Sequence, residues 1–149
     1  MNEVSMNSKM NLSPHFTLGE LTKTKHVTPD GNIPSRVVVE NLKRLCSWLE
    51  ELRLRYNEPI IINSGYRSPS VNKLAGGAVG SNHLTGCAVD IRCAGKEQMI
   101  RYAAILLDIA DGTKQDFDEL LLEQHGSTCW LHFAVRPKDN RRLINFLKV

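Results

Sequence analysis

The chain has 149 residues, of which 42% are hydrophobic, 23% charged and 6% aromatic, and nineteen Lys and Arg against sixteen Asp and Glu leave a net charge of +3. That length suits one domain with a core that needs no covalent staples. The charge is too mild for a nucleic-acid partner, whose contacts need basic residues gathered on one face. No run of about 18 apolar residues offers a membrane span, and the opening residues MNEVSMNSKMNLSPHF lack the apolar stretch of a secretory signal. The expectation is a soluble, monomeric protein made in the cytoplasm, with neither nucleic acid nor membrane as partner. Cys46, Cys87, Cys93 and Cys129 make no CxxC pair, so reduced thiols are expected rather than a disulfide framework or a zinc knuckle.

In chain order, residues 1–14 are polar and unpatterned and read as a flexible leader, leaving 15–149 as the domain. The segment 15–25 is predicted to hold one short helix, with Thr17 as cap and Glu20 three positions on. After a turn at 31–34 comes the strongest helix, over 35–56. There Val38, Leu42, Leu45, Leu49 and Leu52 recur at three- and four-residue steps and form one buried stripe. Asn57, Glu58 and Pro59 stop it. Ile60, Ile61 and Ile62 read as a short buried strand ending at 63–65, and 68–74 as a helical turn with Pro69 at its first position. Gly76, Gly77 and Gly80 mark an irregular loop. A second strand is predicted over 87–93 and a second long helix over 96–111. The segments 117–123 and 129–135 form a hairpin around 125–128, and 140–149 is either a short helix or an edge strand. Two late strands pairing as neighbours favour an α+β single domain, with a mainly antiparallel sheet flanked by helices, over a doubly wound parallel one.

The chemistry concentrates in Ser81–Asn82–His83–Leu84–Thr85–Gly86–Cys87–Ala88–Val89–Asp90. His83 lies in the loop ahead of the second strand. Alternation places Ala88, Asp90 and Arg92 on one face of that strand and Cys87, Val89 and Ile91 on the other. A carboxylate between Val89 and Ile91 is costly unless it is paired or binds a metal. The plain alternative is Asp90 in a salt bridge to an arginine, with His83 an ordinary loop residue. Trp130–Leu131–His132 adds a second histidine on a predicted strand. If the two strands are neighbours, His83, Asp90 and His132 converge. Two imidazoles and one carboxylate, with a fourth position open to water, form the composition of a catalytic zinc site.

The string Ser81-x-His83-x-x-Gly86-x-Ala88-x-Asp90, followed by Trp130-x-His132, resembles the zinc D-Ala-D-Ala carboxypeptidase family of peptidases. Upstream pieces agree: Phe16–Thr17–Leu18 with Glu20, Ser64–Gly65–Tyr66–Arg67–Ser68, Asn72, and Gly76–Gly77. The resemblance covers about 15–135. It implies the small α+β fold shared with the hedgehog signalling domain, Zn2+ as cofactor, and His83, Asp90 and His132 as its ligands. It further implies hydrolysis of peptide bonds in peptidoglycan stem peptides, with a glutamate as general base.

The sequence departs from the family pattern at that base. Many members carry a catalytic glutamate three residues before the second ligand histidine, and here that position is Cys129. Glu123, closing the first hairpin strand, is the preferred substitute, against the alternative of a solvated strand-end carboxylate. Glu119, on the same face, is the fallback, and His125 in the turn is the third choice. Arg67 is assigned to the substrate carboxylate or the developing oxyanion, against a structural salt bridge to Asp90. Ser81 is assigned to holding the His83 loop or binding substrate, against the alternative that it merely caps a turn. Tyr66, Asn72 and Trp130 are placed in the cleft walls, with core packing as the alternative for the two aromatics. Cys129 also keeps open a non-catalytic, zinc-stabilised cell-wall binding or structural module. A cysteine amidase using Cys87 or Cys129 is a more distant rival. The resemblance leaves open which peptide bond is cut, and it suggests action on the cell wall as a phage-released or virion-associated enzyme.

Overall fold

The computed structural model describes residues 7–149. A short hairpin, β1 (Asn11–Ser13) and β2 (Phe16–Thr17), leads into the one-turn helix α1 (Leu18–Leu21). Of the predicted leader, residues 1–6 lie outside the described residues, but 11–14 belong to the fold. Leu12 and Phe16 are buried, and the turn between them is fastened to Glu50, which accepts from Ser13 Oγ (2.6 Å) and from the His15 backbone N–H (2.7 Å). Two apolar residues flanking Ser–Pro–His are enough to pin the segment, so the domain starts earlier than position 15.

The predicted capping box is present, with the Thr17 side chain accepting from the Glu20 N–H and Glu20 accepting from the Thr17 N–H. The helix it starts is far shorter than 15–25. The Thr22 hydroxyl turns back to the Leu18 carbonyl (2.8 Å), and the Asn32 side chain takes the Thr22 carbonyl (2.8 Å), drawing the chain out of helical geometry.

Helix α2 (Arg36–Tyr56) is capped by Ser35 and ends at Asn57 in the left-handed conformation. Its predicted stripe is the buried one: Leu42, Leu45, Leu49 and Leu52 are fully enclosed. Strand β3 (Ile62–Ser64) begins two residues later than the isoleucine run suggests, because Ile61 is half exposed while Ile60 and Ile62 face inward. Helix α3 (Pro69–Leu74) starts on its proline with Ser68 as cap. Strand β4 (Ala88–Cys93), helix α4 (Lys96–Thr113) and the hairpin of β5 (Glu119–His125) and β6 (Thr128–Ala134) follow as expected within two residues. The last segment resolves as an edge strand, β7 (Leu143–Lys148).

The five-stranded sheet has the order β3-β4-β6-β5-β7, antiparallel throughout except for the parallel pair β5 and β7. This is the α+β, mainly antiparallel domain that the sequence implies. The sheet has one dry face. Val89, Ile91, Leu120, Leu122, Leu131 and Phe133 are buried in a core shared with α2 and α4. Phe133 anchors that core between the rings of Trp48 (5.3 Å) and Phe117 (5.7 Å). Both long helices therefore cover one side, and the alternate residues of β4, β5 and β6 open onto the other.

Candidate metal centre

Strand pairing brings the predicted residues together. In the β4–β6 ladder Asp90 is directly opposite His132. The Val135 N–H donates to the Cys87 carbonyl (2.8 Å), which makes the 87/135 pair a hydrogen-bonded one. Counting three rungs on, Asp90 and His132 occupy a non-hydrogen-bonded pair, the type in which side chains stand closest. His132 Nδ1 lies 3.0 Å from Asp90 Oδ1.

His83 arrives from the loop. Ser81 caps a 3₁₀ turn, Asn82–Thr85, its hydroxyl accepting from the His83 N–H (3.1 Å). The turn closes on Gly86 at φ +75°, against α2. A Cβ there would meet the Val38 side chain at 2.8 Å and the Val38 carbonyl at 2.9 Å, so only glycine fits. His83 is thereby buried, with Nδ1 donating to the Gly65 carbonyl (2.6 Å) and Nε2 3.3 Å from Asp90 Oδ1. A carbonyl can only accept, so Nδ1 carries a proton, which leaves Nε2 as the ring atom that faces the aspartate.

One oxygen of Asp90 thus meets both imidazoles, and a ligand atom from each of His83, Asp90 and His132 lies within 4.8 Å of the others. The other oxygen, Oδ2, takes the Arg67 guanidinium (3.3 Å), whose Nε is fixed by Ser64 Oγ (3.1 Å). Burial pushes the Asp90 carboxyl up, but the two histidines outweigh it and hold the group well below the usual carboxylate range. For His132, burial pulls the imidazole down, while Asp90 and Glu119 together raise it to about 9. Two imidazoles gathered around a carboxylate are also ligands that suit a divalent metal.

The cluster sits in an open cleft of about 670 Å³ bordered by Arg67, Ser81, Glu119, Glu123, Trp130 and Arg136 among others. Glu123 is opposite Trp130 in the β5–β6 register and accepts from its indole N–H (3.0 Å) through Oε2. Burial raises its carboxyl above the ordinary value, Asp90 adding to that and His132 opposing it. Glu119 faces the same cleft, but its Oε1 is taken by His132 Nε2 (3.0 Å) and the Asn82 amide (2.7 Å).

Several expected residues are placed elsewhere. Tyr66 is not in the cleft wall: it is buried and borders a separate cavity with Val38, Asn41 and Thr85, because the backbone turns at Gly65 and sends the next side chain toward α2. Asn72 is buried too, its amide donating to the Ala78 carbonyl (3.0 Å), which shapes the glycine loop rather than the cleft. His125 is exposed and bonded to the Val149 carbonyl, at the far end of the hairpin. Cys129 lies on the opposite face of β6 from His132, as a strand residue three positions away must, and is buried in the core. Cys87, also buried, has its thiol pushed up by its surroundings.

One group of residues was missed in the sequence. Asp118 is fully buried and receives Asn82 (2.8 Å), both Nε (3.0 Å) and a terminal nitrogen (2.7 Å) of Arg141, and Arg136 (3.2 Å). The available signal was the Asn82 between Ser81 and His83, together with three arginines after His132.

Two imidazoles and a carboxylate converging at the floor of a cleft form the donor set of a zinc site with a position left open. On the uncovered face of an α+β sheet, that set suits a metal-dependent hydrolase. The chain belongs to the peptidase M15 family, whose pattern it matches over residues 14–120. Members of this family are zinc peptidases, and the His–Asp–His cluster can hold such an ion. The matched span includes Arg67, Ser81, His83, Asp90 and Glu119 and ends before Glu123, Trp130 and His132. The chain has no significant match among curated proteins. No helix among the described residues is long and apolar enough to cross a membrane.

Proposed function

We propose that this peptidase hydrolyses peptide bonds of peptidoglycan stem peptides, as a D-Ala-D-Ala carboxypeptidase or an endolysin-type endopeptidase acting on the cell wall. The observation that carries the reading is the convergence of His83 Nε2, Asp90 Oδ1 and His132 Nδ1 in a cleft that also holds Glu123. All these groups come from one chain, so a single copy suffices. Zinc held by the three residues would act as a Lewis acid, lowering the pKa of water toward about 7 and polarising the scissile carbonyl.

The protein supplies the rest. Glu123, its Oε2 held by Trp130, takes a proton from the attacking water at Oε1 and returns it to the leaving nitrogen as the C–N bond breaks. Arg67 turns donors toward the carbonyl oxygen or a substrate carboxylate. That guanidinium also lies 3.3 Å from Asp90 Oδ2, the contact expected of a structural salt bridge. Ser81 holds the His83 loop. A non-catalytic module loses its main support, since the side chain of Cys129 points away from the cleft and Glu123 supplies a carboxylate from the neighbouring strand. A cysteine amidase finds no thiol among the residues that border the cleft.

The test is digestion of purified peptidoglycan, read by mass spectrometry of the released muropeptides with and without chelator. New amine termini that vanish with chelator and return with zinc are expected, and their mass identifies the bond. Zinc binding without any new amine terminus would instead support the binding module.

A further inference from the structure

Glu119 and Glu123 both reach the cleft from β5, but the surroundings of Glu119 give it a different task. His132 meets a carboxylate on each side of its ring, Asp90 at Nδ1 and Glu119 at Nε2, both at 3.0 Å. The Nδ1 side is the cluster side, because the same Asp90 oxygen also faces His83 Nε2. The Nε2 side points away from it. Glu119 has little freedom there. Asn82 donates to Oε1 at 2.7 Å, and Oε2 lies 3.8 Å from Arg141. Asn82 is itself fixed, since the same amide nitrogen donates to buried Asp118 (2.8 Å) and its oxygen accepts from Arg136 Nε (3.0 Å). Asn82 also directly precedes His83, so one side chain ties the loop of the first histidine to the carboxylate that faces the second.

We propose that Glu119 is a positioning residue for the metal centre: it accepts the Nε2 proton of His132, which fixes the tautomer and presents the Nδ1 lone pair to the ion, while Asn82 clamps Glu119 in that pose. The inference rests on His83, Asp90 and His132 being the metal ligands. It removes Glu119 from the candidates for the catalytic base, because the oxygen nearest the site already serves two donors. A carboxylate behind a ligating imidazole fixes the ring and raises its basicity, and losing such a partner costs about 10- to 100-fold in metal affinity.

The experiment is zinc affinity by chelator competition on the full chain, together with the visible spectrum of the cobalt-substituted protein. If the wild-type protein binds neither metal, the ligand assignment itself has failed, independently of any variant. With wild-type binding established, Glu119→Ala is expected to weaken zinc about 10- to 100-fold and to change the cobalt spectrum. Glu119→Gln, whose amide oxygen still accepts from Nε2, is expected to recover most of the affinity. Glu119→Ala with wild-type affinity and spectrum overturns the proposal, as does Glu119→Gln that is no better than Ala. Should Glu119→Ala not fold, Asn82→Ala, which keeps the carboxylate and removes its clamp, is read in the same way. Weaker zinc binding with an altered spectrum supports the proposal, and unchanged binding overturns it.

Discussion

Glu123 and Glu119 stand four residues apart on one face of β5, and their hydrogen-bond partners differ. The indole of Trp130 holds one oxygen of Glu123 and burial favours its protonated form, which suits a group that must accept and return a proton. Hydrogen bonding to His132 holds Glu119 below its usual range, as a fixed acceptor. Glu123→Gln is therefore expected to bind zinc with wild-type affinity and to lose about 10²- to 10⁴-fold in turnover, measured by amine release from muropeptides against zinc affinity of the same preparation. Turnover near wild type would remove Glu123 from the mechanism. The convergence of His83, Asp90 and His132 was legible from their residue types and from the resemblance of their motif to a zinc peptidase family rather than from spacing, and the place of Glu123 beside the cleft from its position at a strand end. The bonds of Glu119 to His132 and Asn82 were not, because they depend on rotamers set across two strands and a loop. Tyr66 was misplaced for a related reason: adjacency to Arg67 in sequence says nothing about which way each side chain leaves a turn.

Elements place these residues through two contacts that leave no room for adjustment. Strand β4 lies against β6 with Asp90 facing His132, and the turn after β3 lies against α1. At that turn the Tyr66 N–H donates to the Leu21 carbonyl (2.8 Å) and the Gly65 carbonyl receives His83. A Cβ at Gly65 would fall on the Leu21 carbonyl oxygen, a backbone atom that cannot rotate away. Gly65→Ala should thus cost about 1–3 kcal/mol of stability and also weaken zinc, because the acceptor for His83 Nδ1 moves with the turn. Thermal melting and zinc competition on the same variant check this; unchanged values in both would show that α1 and β3 can part without cost. At this scale the long helices and the hairpin were readable from periodicity and turn residues. The ends of the short elements were not, since Thr22, Asn32 and Ile61 take their conformations from tertiary bonds and burial rather than local pattern.

Across the whole molecule, one sheet separates an apolar core under two helices from a charged, open face. Asp118, next to the strands that carry Asp90 and His132, links that face to the segment leading into β7 through Arg141 and Arg136. Burial pushes its carboxyl up, but the bonds from Arg141 and Asn82 outweigh it and bring it to about 2, below the ordinary 3.8. The unfolded chain then takes up the proton at higher pH than the folded one. The stabilisation is present above about pH 4 and is lost as the pH falls toward 2, and it amounts to roughly 2–3 kcal/mol. Asp118→Asn should accordingly be less stable than the wild type at neutral pH, with the gap narrowing across that acid range in denaturant titrations. A gap independent of pH would assign Asp118 a purely steric role. The α+β class and the antiparallel order followed from adjacent late strands, whereas the buried Asp118 network joins residues from positions 82 to 141, which only the residue types of Asn82 and the late arginines hinted at.

Zinc content after exhaustive dialysis, compared between the wild-type chain and His132→Ala, bears most directly on the metal centre. One equivalent of tightly held zinc in the wild type, lost in His132→Ala while the fold persists by circular dichroism, is the expected result. A wild-type protein that holds no zinc, or a His132→Ala protein that holds it equally well, would contradict the assignment of His83, Asp90 and His132 as its ligands.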